Sequence, residues 1–510
     1  MFNKVLSGTL HGVEGRIIAV EADVSDGLPN FNMVGFLASE VREASDRVRT
    51  SLKNSGFFLS PKKITINLSP ADIRKEGSAF DLPISVALLA AYGYIPDDVI
   101  ENTLFIGELS LNGELRGVRG ILSIVDHARK MGIECVILPY DNRKEAAIIK
   151  GINVYGAHNL KEVFEHLTGT ITLEKTEHTI MTTVDNDYSI DFSDIKGQES
   201  LKRATEIAVA GMHNIIFAGP PGAGKSMIAK RIPTIMPDLS YEESVELTKI
   251  YSAKGMLGAD DGLVVNRPFR TPHHSITAQS LIGGGVVPKP GEISLSHHGV
   301  LFLDEMLEFQ KNTIEMLRQP VEDGEITISR MHGSYTFPCD FMLVAAMNPC
   351  PCGYYPDRSK CHCSGLQIER YLRRLSHPML DRMDMSIQVK RVEYSELYDV
   401  KKAESSADIK KRVEEAHALQ CERLKEYNIR FNSQIPSNMI DDLCMLGEEE
   451  VKLRKHIFER YNLTARGMGK LLKVARTIAD LDGSKVVLSN HILEALSYRI
   501  NELGLGDEHI

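Results

Sequence analysis

Gly219-Pro220-Pro221-Gly222-Ala223-Gly224-Lys225-Ser226 fits the pattern G-x-x-x-x-G-K-[ST], which cradles phosphate. At ordinary residue frequencies a chain this long should show about 0.02 such matches by chance, so the match carries information. Glycines let backbone N–H groups turn toward phosphate oxygens, and the helix that follows adds its positive end. Asn214 to Ala218 reads as a buried strand entering the loop, and Met227 to Ile232 as a helix ended by Pro233. The chemistry also needs a carboxylate at the end of another core strand. Gly299-Val300-Leu301-Phe302-Leu303-Asp304-Glu305 supplies it. Ser226 and Asp304 would hold Mg²⁺, and Glu305 would polarise the attacking water. By itself an Asp-Glu pair after a strand is a solvated loop or a helix cap; the P-loop upstream turns the reading to catalysis. A third apolar run, Phe341 to Ala346, ends in Met347-Asn348-Pro349. Asn348 could orient the water against the γ-phosphate, or simply form the turn before proline. The chain is thus expected to bind and cleave ATP.

These motifs need a scaffold. At 510 residues the chain should hold about three domains. Residues 1–170 alternate strand-like and helix-like stretches. Ile64, Ile66 and Leu68 alternate with polar residues, Val41, Ala44, Val48 and Leu52 share a helical face, and 121–131 reads as a helix leading into the buried strand 135–139. Residues 171–193 are polar and weakly patterned and read as a linker. A second α/β unit, 194–390, carries the motifs. The remainder, 391–510, is helical: Leu471, Leu472, Ala475, Ile478 and Leu481 form one stripe, and a last helix covers 491–502.

P-loop, Asp-Glu strand and strand-end Asn occur in the order of an AAA+ ATPase, and Asp194-Ile195-Lys196-Gly197-Gln198 is similar to the adenine-side motif of that superfamily. Arg267-Pro268-Phe269-Arg270-Thr271-Pro272-His273-His274 and Pro290-Gly291-Glu292-Ile293-Ser294-Leu295 resemble the YifB/ComM family of magnesium-chelatase-like AAA+ ATPases. The resemblance covers essentially the whole chain. It implies an AAA+ P-loop α/β core with a C-terminal helical lid and a helix-2 insert, which fits 262–292 with Gly283-Gly284-Gly285 at its tip. It also implies a hairpin before the Asn strand, which fits Ile326 to Phe337 with Arg330 and His332 near the turn. In related rings such loops face a pore and grip nucleic acid; the bland alternative is a pair of solvated turn residues. Leu380-Asp381-Arg382-Met383-Asp384 looks like the arginine-finger motif, so Arg382 would reach the γ-phosphate held by a neighbouring subunit. Thr464-Ala465-Arg466-Gly467 looks like the sensor-2 motif, so Arg466 would touch phosphate in its own subunit or across the interface. A finger acting in trans makes hydrolysis depend on assembly, so a homo-oligomeric ring, a hexamer, is expected.

Cys350-Pro351-Cys352 and Cys361-His362-Cys363 form two C-x-C pairs eight residues apart. Four thiolates from one loop could build a structural Zn²⁺ site, though the spacing within each pair is tighter than the usual C-x₂-C. The alternative is packing as small hydrophobes. Cys135, Cys339, Cys421 and Cys444 are expected to pack, and the pairs His273-His274 and His297-His298 show no ligand spacing.

Asn67-Leu68-Ser69-Pro70-Ala71-Asp72, Glu76-Gly77-Ser78-Ala79-Phe80-Asp81 and Gly107-Glu108-Leu109-Ser110-Leu111-Asn112-Gly113 resemble the Lon protease domain, of ribosomal S5 domain 2-like α/β fold. Lon-type cleavage needs a serine nucleophile and a lysine base. The alignment puts Leu122 at the lysine position and Ala79 at the serine, or Ser78 after a shift of one. A leucine accepts no proton, so the domain is expected to be proteolytically inactive.

The net charge of −10 excludes a uniformly basic nucleic-acid coat, leaving local patches. No signal pattern is visible at the N-terminus, and the apolar run 82–96 is too short to span a bilayer, so a soluble, cytoplasmic protein with no membrane contact is expected. The eight cysteines do not make a disulfide scaffold. The family resemblance implies an ATP-driven DNA motor acting on single-stranded or branched DNA, by helicase or branch-migration activity in recombination and natural transformation. An ATP-dependent protease and a chelatase-type motor acting on a protein partner are the other readings.

Overall fold

The structure, a computed structural model, describes residues 1–178, 190–258, 262–330, 333–392 and 403–500, the side chain of the last excepted. His332 and parts of the expected linker and helical lid lie outside the described residues.

The N-terminal region is built on a seven-stranded mixed sheet in the order Asn30–Val34, Lys63–Ser69, Glu14–Ser25, Phe2–His11, Thr103–Phe105, Cys135–Pro139, Asn153–Ala157. Phe2–His11 and Glu14–Ser25 form a long antiparallel hairpin, and the three last-named strands run parallel to Phe2–His11. Lys63–Ser69 buries Ile64, Ile66 and Leu68 as the alternation requires. The apolar run from Leu82 becomes the helix Asp81–Ala91, every residue of which is buried. A helix apolar on all sides has to lie inside a core.

The ATPase region carries a five-stranded parallel sheet in the order Phe269–Arg270, Val300–Leu303, Met342–Met347, Ile215–Ala218, Met385–Gln388. Its three central strands are continuous apolar runs because both faces are covered. Ile215, Phe217, Val300, Phe302 and Val344 face one core, shared with the helix Ala465–Leu481 and the other C-terminal helices. Ile216, Leu301, Leu303, Leu343 and Ala345 face another, shared with the hairpin Glu325–Arg330/Gly333–Pro338 and the cysteine loop. Each large side chain so buried contributes about 1.5–3 kcal/mol. The C-terminal helices therefore do not sit apart as a loose cap; they close one face of the sheet. Phe192, inside the expected linker, is fully buried in that same core.

One local expectation is revised. The helix after the P-loop spans Lys225–Ile235 and runs through Pro233. Proline falls in the last turn, where its missing N–H removes a single hydrogen bond and burial of Ile232 and Ile235 holds the turn together.

Candidate nucleotide site

The P-loop and Asn348 leave the carboxyl ends of adjacent strands, since Ala218 pairs with Met347. Gly219 is required by close approach: a Cβ there would lie 2.4 Å from the Val389 carbonyl oxygen. Gly222 and Gly224 adopt φ of 74° and 90°, which opens the loop N–H groups toward the cavity. Pro221 to Met227, Asp304, Glu305 and Ala346 to Asn348 line this cavity of about 400 Å³.

Lys225 Nζ donates to the Gly219 and Pro220 carbonyls and, at 3.1 Å, to Asn348 Oδ1. Burial lowers its ammonium to about 8, with Asp304 and Glu305 pulling the other way. Ser226 Oγ donates to Asp304 Oδ2 at 2.8 Å. Glu305 stands exposed beside them at φ 51°, a left-handed conformation uncommon for glutamate, and its N–H donates to Asp304 Oδ1. Gln198, at the end of the adenine-side motif, bridges the Ala223 and Lys390 carbonyls. Gly219 to Ser226, Asp304, Glu305 and Asn348 are thus brought together as anion cradle, oxygen pair, exposed carboxylate and polar strand end.

Arg382 and Arg466 line none of this cavity. Arg382 Nε and Nη1 donate to the Arg318 and Pro378 carbonyls, and Nη2 to Glu322. Arg466 Nη2 donates to the other oxygen of the same carboxylate at 2.7 Å. The two arginines therefore converge on one anion. They do so at a separate cleft of about 1190 Å³, between the sheet and the C-terminal helices. Glu322 carries no motif and sequence reasoning missed it; no local signal marks it.

The four cysteines of 350–363 meet, with all four sulfurs within 4.8 Å of one another. Cys350 Sγ lies 3.3 Å from Cys352 Sγ and 3.7 Å from Cys361 Sγ. The loop rests on the P-loop, where a Cβ on Gly353 would be 2.6 Å from Pro221 Cδ. A second cluster, Glu246, His297 and His298, comes together from distant positions. Its contacts are between imidazole and carboxylate, with His298 Nε2 2.9 Å from a Glu246 oxygen. His297 Nδ1 accepts the Asp340 N–H at 3.0 Å, so its Nε2 bears the proton and faces Glu246 without a free lone pair.

In the N-terminal sheet region Ser78 Oγ donates to Glu108. Lys75 Nζ is turned to the Pro70 and Ile73 carbonyls, and Lys130 pairs with Asp126. Leu122 is fully buried among Ile121, Val125 and Ile148, against which Val245 and Leu263 also pack.

A parallel sheet with the P-loop strand between the strand ending in Asn348 and the strand Met385–Gln388, and with the Asp-Glu strand beyond, defines the AAA+ class of P-loop proteins, which use nucleotide and Mg²⁺. Three family profiles match: "Magnesium chelatase, subunit ChlI" at 191–397, "Subunit ChlI of Mg-chelatase" at 20–142, and "Magnesium chelatase, subunit ChlI C-terminal" at 403–499. The chain is 42% identical over 489 residues to the YifB protein of Escherichia coli, covering 96% of this chain and 95% of that one. It is 39% identical over 500 residues to the competence protein ComM of Haemophilus influenzae, covering 97% of each. It belongs to the YifB/ComM family of magnesium-chelatase-like AAA+ ATPases. A partial likeness links it to Lon protease 2 of Bacillus subtilis, 28% identical over 174 residues, 32% of this chain and 30% of the protease. No helix among the described residues is long and apolar enough to cross a membrane.

Proposed function

We propose that this chain is a ring-forming AAA+ ATPase, six protomers to the ring, that couples ATP hydrolysis to remodelling of single-stranded or branched DNA. The observation that carries the ring is the separation of the machinery into two faces. Lys225, Ser226, Asp304, Glu305 and Asn348 line one cavity, while Arg382 and Arg466 meet at another. Two guanidiniums gathered on one carboxylate are suited to receive one phosphate from a neighbouring protomer. This favours the trans assignment for both.

On this reading the P-loop N–H groups and Lys225 bind the β- and γ-phosphates. Ser226 and Asp304 offer the hard oxygen donors that suit Mg²⁺, which neutralises phosphate charge when bound. Glu305 takes a proton from the attacking water, Asn348 orients that water, and the neighbour's Arg382 and Arg466 meet the charge that develops. The four cysteines fit a structural Zn²⁺. Tetrahedral thiolate ligation needs sulfurs about 3.8 Å apart, from Zn–S bonds of about 2.3 Å; Cys350 Sγ lies 3.3 and 3.7 Å from two of its partners, and all four sulfurs lie within 4.8 Å. The thiolates would stiffen the loop resting on Pro221. Metal analysis of reduced protein is expected to give one zinc per chain, and a Cys352→Ser, Cys361→Ser pair to lose it and weaken nucleotide binding. Zinc-free reduced protein with normal turnover would end the assignment.

DNA as substrate is supported by the 39% identity to a protein named for competence. The exposed Arg330, reaching Gly285 of the insert, gives the hairpin a cation to offer a backbone phosphate. ATP turnover is expected to rise with single-stranded or branched DNA, and binding to weaken as salt increases. The test is an ATPase assay over a panel of DNA structures with Glu305→Gln as the inactive control. Turnover indifferent to every nucleic acid, but raised by a protein partner, would transfer the chain to the chelatase-type reading. The protease reading meets Ser78 bonded to Glu108 and Lys75 turned to two backbone carbonyls, and we propose that the Lon-like domain does not cleave peptides.

A further inference from the structure

Two contacts of the N-terminal sheet domain with the ATPase region are footings of the segments assigned above to substrate contact. The first is the turn His11-Gly12-Val13 of its long hairpin. The His11 ring stacks on Tyr335 of the hairpin Glu325–Arg330/Gly333–Pro338, centroids 4.5 Å apart and planes within 18°. Gly12 has φ 69°, and a Cβ on it would sit 3.3 Å from the Thr336 carbonyl oxygen, so the turn lies flat on the strand. Val13 packs against the core that holds Ile326, Ile328, Tyr335 and Phe337. Tyr335 is only 7% exposed.

The second place is the helix Tyr241–Lys254. Lys249 pairs with Asp126 at 2.6 Å, Ser252 Oγ donates to the buried Glu145, and the Tyr241 hydroxyl donates to the Ile148 carbonyl. This helix holds the base of the insert, for Lys254 Nζ donates to the Pro290 carbonyl at 2.6 Å. The tips of the two segments then meet, Arg330 Nε donating to the Gly285 carbonyl at 3.3 Å. Leu122, at the position where a Lon-type base would stand, belongs to the core against which Val245 and Leu263 pack, and its N–H donates to Glu145, the acceptor of Ser252.

We infer that the N-terminal domain is a brace for the substrate loops: its His11–Val13 turn fixes the hairpin, its second footing fixes the insert, and DNA-dependent turnover relies on that fixation. The inference rests on the nucleic-acid reading for its functional half and on the contacts alone for its structural half. The stack does not depend on charge, since burial and the neighbouring Arg16 disfavour protonation of His11.

The experiment compares the full chain with His11→Ala and His11→Phe, the latter keeping a ring on Tyr335. Amide hydrogen exchange is measured over 333–338 and, as an internal reference, over 215–226, alongside basal and DNA-stimulated ATP turnover. An aromatic stack of ordinary strength predicts about 2- to 12-fold faster exchange over 333–338 in His11→Ala, none at 215–226, and return toward normal in His11→Phe. The stimulation ratio should drop several-fold in His11→Ala with basal turnover kept. Unchanged exchange over 333–338 in His11→Ala overturns the brace, as does raised exchange with stimulation intact. If the unaltered chain responds to no DNA while exchange still rises in His11→Ala, the nucleic-acid reading fails and the mechanical contact stands.

Discussion

Arg382→Ala should bind ATP as the unaltered chain does and hydrolyse it roughly 10³-fold or more slowly, the span measured for arginine fingers reaching about 10⁵. Folding should survive the change. The guanidinium is held by two carbonyls and one half-exposed carboxylate, and Glu322 keeps Arg466 as a partner once Arg382 is gone. The loss should be curable in a specific way. Arg382→Ala chains retain a sound P-loop, and Lys225→Ala chains retain a sound finger. Mixed one to one, roughly a quarter of the junctions in a ring would pair a good P-loop with a good finger. Two preparations that are inert apart should therefore turn over ATP together. Full hydrolysis by Arg382→Ala, or silence in the mixture with mixed rings demonstrably formed, would place the missing charge elsewhere.

Legibility from sequence followed the range over which each feature is encoded. The P-loop, the Asp304-Glu305 strand end and the strand before Asn348 are local: each motif carries its own strand and turn, and the parallel sheet had to assemble them at one edge. The four cysteines are nearly local, since 14 positions of one loop contain them. Glu322 is the opposite case. It sits in the short helix Arg318–Asp323, and its importance comes from Arg382 and Arg466, 60 and 144 residues away. His11 and Tyr335 are farther apart still, and no periodicity marks either. The helical lid was legible as helices through the apolar stripe of 471–481. Its fusion with the ATPase sheet was not, because an amphipathic stripe specifies that a face is buried and leaves the partner open.

The other large effect separates the two neighbouring acids, which a motif treats as a unit. Glu305→Gln preserves size and removes the basic oxygen, so ATP and Mg²⁺ binding should persist while turnover falls by about 10²- to 10⁴-fold. The strained φ of 51° at this position is kept by the surrounding backbone, and glutamine tolerates it no worse than glutamate. Asp304→Asn should behave differently. Asp304 accepts from both the Ser226 hydroxyl and the Glu305 N–H, and its charge is what would hold the metal. Its loss should raise the Mg²⁺ concentration needed for half-maximal activity, and excess Mg²⁺ should recover part of the rate. Excess Mg²⁺ should recover nothing in Glu305→Gln. Titrating Mg²⁺ against turnover in the two variants reads this directly. Equal rescue would mean that Glu305 serves the metal rather than the water. In that event the exposed carboxylate at the mouth of the cavity would have to yield the role of base to another group.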